Sequence, residues 1–427
     1  MLRLALKKAT AAAAAISAVR PSRPYATDGR DVARQMIRYA LGHARSQKSA
    51  ESYSQAAMIL EQGLANARER EPDGDETGLF LLAMSTLLYE RGELQDAVEK
   101  LQLVRQSGRA SLDLKVAAYE ALIGLDLEAG KDDASSALAD EFGQLLGNTP
   151  KDSAPALEVL KLRAKAVKGL VHILRGDVKS AELSLGGCQN CNMEGGEDQN
   201  VTAALSYGEY AHCTGNFSLA KDLYEKVLHA LQTKDIADSS YLASTNMVPE
   251  EILLGATCAL GQLLSHSGKF GEAEELLTTA LTRAENHFGS THPKVGVVLT
   301  CIAIMYRHKA KMEASSSILI QEGLYRRALD LLKAPPLDSE VADKQAARRD
   351  LVALARASLG HHLADNCSLG GYAEILCIQQ NRKGEGERMR EWAMAAWKSP
   401  RLSLAQVLEF SEPSEAAVVD TRICRVL

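Results

Sequence analysis

Cysteines, histidines and carboxylates at short spacings are where chemistry would show first. Cys188 and Cys191 form a single CxxC, and His212 and Cys213 are the nearest further donors along the chain. A structural zinc takes four such ligands, so the pair would need both of them. A redox role would set the first thiol at a helix N-terminus behind a strand, and no strand pattern precedes Cys188. A third reading packs one thiol at a small position and leaves the other in the loop after it. Cys367 and Cys377 have nine residues between them, half of a twin-cysteine pattern whose second half is missing. His361, His362 and Asp365 place two donors at i and i+4, fewer than the three or four a metal needs. No phosphate-cradling glycine loop, nucleophile elbow or HExxH stretch occurs. The expectation is therefore a chain without catalytic residues, cofactor or small-molecule substrate, with the CxxC as its only candidate for metal or redox chemistry.

Helices must position these residues. The chain has 427 residues, of which 46% are hydrophobic but only 5% aromatic, and Ala and Leu dominate. Such a composition favours helix, and alternating Val/Ile/Thr stretches are missing. No apolar run reaches about 18 residues, so no membrane span is expected.

A phrase recurs along the chain: a small residue in one helix, then twelve positions later an alanine opening the next. Gly169 pairs in this way with Ala181, Gly208 with Ala220 and Gly261 with Ala273. Helices pack this closely only where one of them presents no bulk. Ser85 and Ala97 repeat the interval, and Leu122 with Ala134 reads as a degenerate copy with leucine in the small slot. Ala303 occupies the slot of one further pair. Residues 31–70 read as a helical pair ended by Pro72 and Gly74, and about 340–398 as a last helical region holding Trp392 and Trp397. Extra length falls at 186–198 and 233–251, the natural sites of long loops or helix extensions. The last residues show no period. A unit of this kind cannot bury its apolar face alone, so copies stack into an all-α solenoid of about seven or eight hairpins.

These phrases resemble the tetratricopeptide repeat. Its small first-helix residue maps onto Gly169, Gly208 and Gly261, its second-helix alanine onto Ala181, Ala220 and Ala273, and its bulky position onto Leu185, Tyr224 and Leu277. Residues 255–307 are similar to the longer repeats of kinesin light chains, including Gly289, His292 and Pro293 between helices. The resemblance implies a right-handed α–α superhelix whose concave face grips another protein. Two transfers fail. The cargo-binding asparagines of kinesin light chains are replaced here by Cys258, Ala259, Thr300 and Cys301. The chaperone-tail clamp wants asparagine where Leu170, Glu209 and Gln262 follow the small residues.

The first 25 residues hold five of the 49 basic residues and none of the 55 acidic ones, so the rest carries 44 against 55, a formal −11. Leu2, Leu6, Ala9, Ala13 and Ile16 line one side of a helix from which Arg3 and Lys7 point away. A cationic amphipathic helix without acids has the form of a mitochondrial presequence, and Arg23-Pro24-Tyr25 before Ala26 sets the cut between Tyr25 and Ala26. The expected location is the matrix, with a plastid or dual address as the alternative. A secretory signal over Ala9–Val19 is the weaker reading, because alanine is only weakly hydrophobic.

The expected organisation is presequence 1–25, degenerate hairpins 26–160, clear repeats 161–335, a helical cap 336–400 and a tail 401–427. The expected function is a non-catalytic mitochondrial scaffold or assembly factor. Lys165, Lys168, Tyr207, Tyr210, Gln262 and His266, all on first helices, are the candidate lining of a groove for a partner's extended segment. An organellar RNA-metabolism factor and a CxxC-centred metal or redox protein are the alternatives. The acidic total argues against nucleic acid. Basic pairs at Arg326-Arg327, Arg348-Arg349 and Arg382-Lys383 read as solvated surface, or together as a positive concave patch.

Overall fold

The computed structural model describes residues 29–147, 155–188, 201–232, 243–313, 318–337, 347–365, 373–409 and 416–427. The presequence with Tyr25 and Ala26, Cys191 and Cys367 therefore lie outside the described residues, as do the side chains of His362, Asp365 and Cys377. Sixteen of the described helices form eight consecutive hairpins: α1 (Gly29–Gln47) with α2 (Ala50–Arg70), α3 (Asp75–Glu90) with α4 (Leu94–Gln106), α5 (Leu112–Glu128) with α6 (Asp132–Gly147), and α7 (Pro155–Leu174) with α8 (Val178–Leu185). The series continues through α9 (Val201–Cys213) with α10 (Phe217–Gln232), α11 (Pro249–His266) with α12 (Phe270–Phe288), α13 (Pro293–Glu313) with α14 (Ile318–Leu331), and α15 (Arg349–Asp365) with α16 (Ala373–Ala396). A short α17 (Leu404–Glu409) and two strands, β1 (Val419–Asp420) and β2 (Arg425–Val426), follow. The architecture is an all-α solenoid in which each hairpin packs on its neighbours.

Local sequence sets these elements. Helix α2 starts at a capping box in which Ser49 and Ser52 each accept the other's backbone N–H at 3.1 Å. Its buried Tyr53, Ala56, Leu60, Leu64 and Ala67 recur every three or four residues. Five hairpins turn on a glycine in the left-handed region: Gly92, Gly130, Gly176, Gly215 and Gly268, with φ between +72° and +81°. The residue after each glycine donates to the carbonyl five back, as Glu93 does to Leu88 at 2.9 Å, which closes the preceding helix.

That turn fixes the register of the second helix. Five residues after each glycine comes a small residue with no exposed surface: Ala97, Ser135, Ala181, Ala220 and Ala273. In the α5–α6 hairpin this corrects the sequence reading: Ser135 takes the slot and Ala134 is exposed, because Gly130 sets the phase. Opposite, a Cβ on Gly169 would stand 2.4 Å from Leu185 Cγ, one on Gly208 2.8 Å from Tyr224 Cε1, and one on Gly261 2.7 Å from Leu277 Cγ. A bulky side chain of the second helix occupies the space that each glycine leaves. Gly289 (φ +92°) ends α12 and Pro293 opens α13, so the longer connection follows the same logic.

First and second helices differ in burial. Second helix α12 buries one stripe, Phe270, Ala273, Leu277, Ala280, Ala284 and Phe288. First helix α11 is buried at almost every position from Pro249 to Ser265, and α9 from Val201 to Glu209. A helix buried all round must be covered on a second face. Two segments of the chain itself provide that cover.

Candidate functional site

Successive residues of a helix turn by about 100°, so the residue after each packing glycine faces away from the hairpin partner, toward the inner face. Glu209 and Gln262 follow Gly208 and Gly261, while Thr86 and Gly124 follow Ser85 and Ile123, which stand twelve residues before Ala97 and Ser135; all four touch an internal segment. Residues 244–247 lie buried against α3 and α5. There Thr245 N–H donates to Thr86 Oγ1 at 3.0 Å, Ser244 and Ser85 hydroxyls meet at 2.8 Å, and a Cβ on Gly124 would stand 2.1 Å from Asn246 Nδ2. The loop expected over 233–251 thus ends inside the solenoid.

Residues 416–427 are the second filler, and they form an antiparallel hairpin with Val419 opposite Val426 and Asp420 opposite Arg425. Arg422 and Ile423 have no exposed surface and Leu427 has 2%. Gln262 on α11 pairs with this hairpin through its side-chain amide, donating to Val419 O at 3.0 Å and accepting from Val419 N at 2.8 Å. Arg422 donates to the Glu209 carboxylate and Ser206 Oγ on α9 and to Asp420 Oδ2 at 2.8 Å. Arg425 donates to Asp350 on α15 at 2.6 Å, to Asp132 on α6 at 2.9 Å and to the Leu127 carbonyl on α5 at 2.8 Å. Arg401 gathers both ends, donating to Ala416 O at 2.7 Å and Leu427 O at 2.6 Å. Lys294 on α13 pairs with Glu251 on α11 beneath the turn, 3.4 Å from Arg422 O.

These charges are out of water, and their proton affinities reflect it. Burial pushes Glu251 up to about 7 against the pull of Lys294. Glu209 is raised by burial, with Arg422 opposing and Asp420 reinforcing the rise. Burial likewise raises the Cys424 thiol, which removes it as a nucleophile at neutral pH.

The six sequence candidates separate into two places. Gln262 and His266 share the inner end of α11. His266 Nδ1 lies 2.8 Å from His212 Nε2, and His308 on α13 follows at 5.4 Å between ring centroids. Burial holds His212 down at about 3 and His308 at about 4, so this row of imidazoles is neutral. Tyr207 and Tyr210 stack on each other at 6.1 Å, with Glu182 of α8 close enough to raise Tyr210 after the larger effect of burial. Lys168 pairs with Asp140 of α6 at 2.7 Å, and Lys165 is exposed beside Gly187.

Cys188 is buried in the turn that follows α8. Of its proposed co-ligands, His212 is committed to His266 and to the Tyr224 hydroxyl. Among the described residues no three histidines, cysteines or carboxylates could hold a metal ion together. The reading of Arg348 as solvated surface is corrected. Its side chain is buried and pairs with Glu128 at 2.5 Å, because α5 and α15 meet there. Arg326 and Arg382 are both spent on Glu322. Trp392 is buried under the Arg356 guanidinium at 4.0 Å, and Trp397 is half-buried, donating to Leu402 O. Glu209 and Gln262 were legible as departures from family patterns; the hairpin they hold gave no sequence signal.

The geometry defines a helical-repeat protein closed on its own C-terminal segment. A family model described as tetratricopeptide repeat matches residues 253–294, which span α11, α12 and the start of α13 with Gly261, Ala273, Leu277, Gly289 and Pro293. The same hairpin geometry recurs along the chain, so the match and the fold together support a likeness to the tetratricopeptide-repeat superfamily. No curated protein matches it. Repeats of this kind typically bind proteins and are not catalytic, which makes an interaction scaffold the general role. No described helix is long and apolar enough to cross a membrane.

Proposed function

We propose that this chain is a non-catalytic scaffold or assembly factor of the mitochondrial matrix whose inner face grips an extended protein segment. The observation that carries the reading is the way first-helix residues Glu209 and Gln262 hold residues 416–427. Repeat proteins use that face for partners, and here the same mode of grip operates within one chain. A protein, not a nucleic acid, is the partner, since Arg326, Arg348 and Arg382 are neutralised by carboxylates and the chain past residue 25 is acidic. The acid-free cationic segment 1–25 supports the mitochondrial address.

Proximity labelling from the full chain in intact mitochondria tests this function. Enrichment of one matrix assembly is the expected result. Diffuse labelling, or labelling outside the organelle, would oppose it.

A further inference from the structure

We infer that the inner face of α9, α11 and α15, with Asp132 of α6, is a recognition site for an extended segment bearing two arginines three residues apart. Residues 416–427 are its resident occupant, and a partner segment of the same chemistry exchanges with them. This rests on the scaffold reading above and adds the identity of the ligand.

The site has separable parts. Gln262 reads main chain: it takes one N–H and one C=O of Val419 and is indifferent to the side chain there. Two slots read side chains. Glu209 and Ser206 form the first, around Arg422. Asp350, Asp132 and the Leu127 carbonyl form the second, around Arg425. Strand-adding peptide sites divide their work in this way, with main-chain bonds for affinity and pockets for specificity. A guanidinium fits such slots better than an ammonium because its donors lie in a planar fork.

The chemistry of the two surfaces fits exchange. A permanent filler is held most stably by apolar side chains, since burying ions carries a desolvation cost that their pairing only offsets. Here the wall presents Ser206, Glu209, Gln262 and Asp350, and the occupant presents Asp420, Thr421, Arg422 and Arg425. Val418, Val419, Ile423, Cys424, Val426 and Leu427 of the occupant are buried beside these groups, so the contact mixes apolar with ionic and hydrogen-bonded parts, as interfaces between protein partners do. Thr421 Oγ1 is buried without a hydrogen-bond partner, which an optimised core avoids.

Two measurements on the full-length chain decide the matter. In hydrogen exchange of the unmodified protein, the Val419 and Leu427 amides should exchange through an opening that leaves α11 protected. Exchange of these amides only together with α11 would overturn the proposal. In the second, a fluorescent peptide with the sequence of residues 416–427 is titrated into the wild-type chain and into the Arg422→Ala/Arg425→Ala chain. The peptide should bind the variant at least tenfold more tightly than the wild type, and a peptide carrying both alanines should bind neither. Equal binding to both chains, or no binding to a variant of wild-type helicity, would sink the idea. A variant that loses its helicity would show the segment to be permanent structure and would sink it too. A locked segment would remove the face of α9 and α11 as the partner's seat but leave the scaffold role itself to the mitochondrial labelling, which does not depend on exchange.

Discussion

Gln262 and Val419 are joined by two hydrogen bonds of opposite sense, so a helix side chain stands in for the neighbouring strand of β1. Gln262→Leu removes both partners and leaves a buried N–H and C=O unpaired, at a cost of about 1–3 kcal/mol. Urea denaturation should show a lower midpoint, and Gln262→Glu, which keeps only the acceptor, should fall in the same direction. An unchanged midpoint would contradict the pairing.

Glycines divide into those that pack and those that do not. Gly261→Leu would drive its side chain into Leu277 and should cost about 1–3 kcal/mol by overpacking. Exposed Gly143, where an added Cβ would meet nothing within 4 Å, should gain about 0.5–1 kcal/mol as Gly143→Ala. Thermal melts of the two variants should move in opposite directions.

Arg163 and Glu120 form a buried pair between α7 and α5, with Arg163 Nε 2.9 Å from Glu120 Oε1. Arg163→Met leaves the carboxylate uncompensated and should cost about 3–5 kcal/mol, and adding Glu120→Leu should recover most of the loss. A double variant no more stable than the single would mean that the pair does not act as a unit.

Stability should fall in acid. His212 and His308 have folded pKa values of about 3 and 4, depressed by burial from 6.5. The unfolded chain therefore binds protons first, and stability present above pH 6.5 is lost as pH falls through the folded values. Glu251 works the other way: its pKa rises from 4.5 to about 7, so its contribution is present below 4.5 and lost as pH rises toward 7. Melting temperature followed from pH 7 to 4 should fall less for His308→Gln and more steeply for Glu251→Gln than for the wild type.

Hairpin identity was readable along the chain because its determinants are local. A left-handed glycine, a small residue five later and a glycine twelve residues before that small one all lie within a single hairpin, and each acts through sterics that neighbours in sequence decide. The one slip, Ala134 for Ser135, came from reading the interval without the turn that sets its phase.

What fills the solenoid was decided only by tertiary structure. Residues 416–427 are too short and too mixed to show a period, and their partners are remote: Arg425 meets the Leu127 carbonyl 298 positions away. Arg348 and Glu209 have the composition of surface residues, and only a carboxylate or guanidinium brought from another hairpin makes their burial tolerable. A charge records no address in the sequence. The fold supplied one, because burying an ion requires its counter-ion to arrive in the same place.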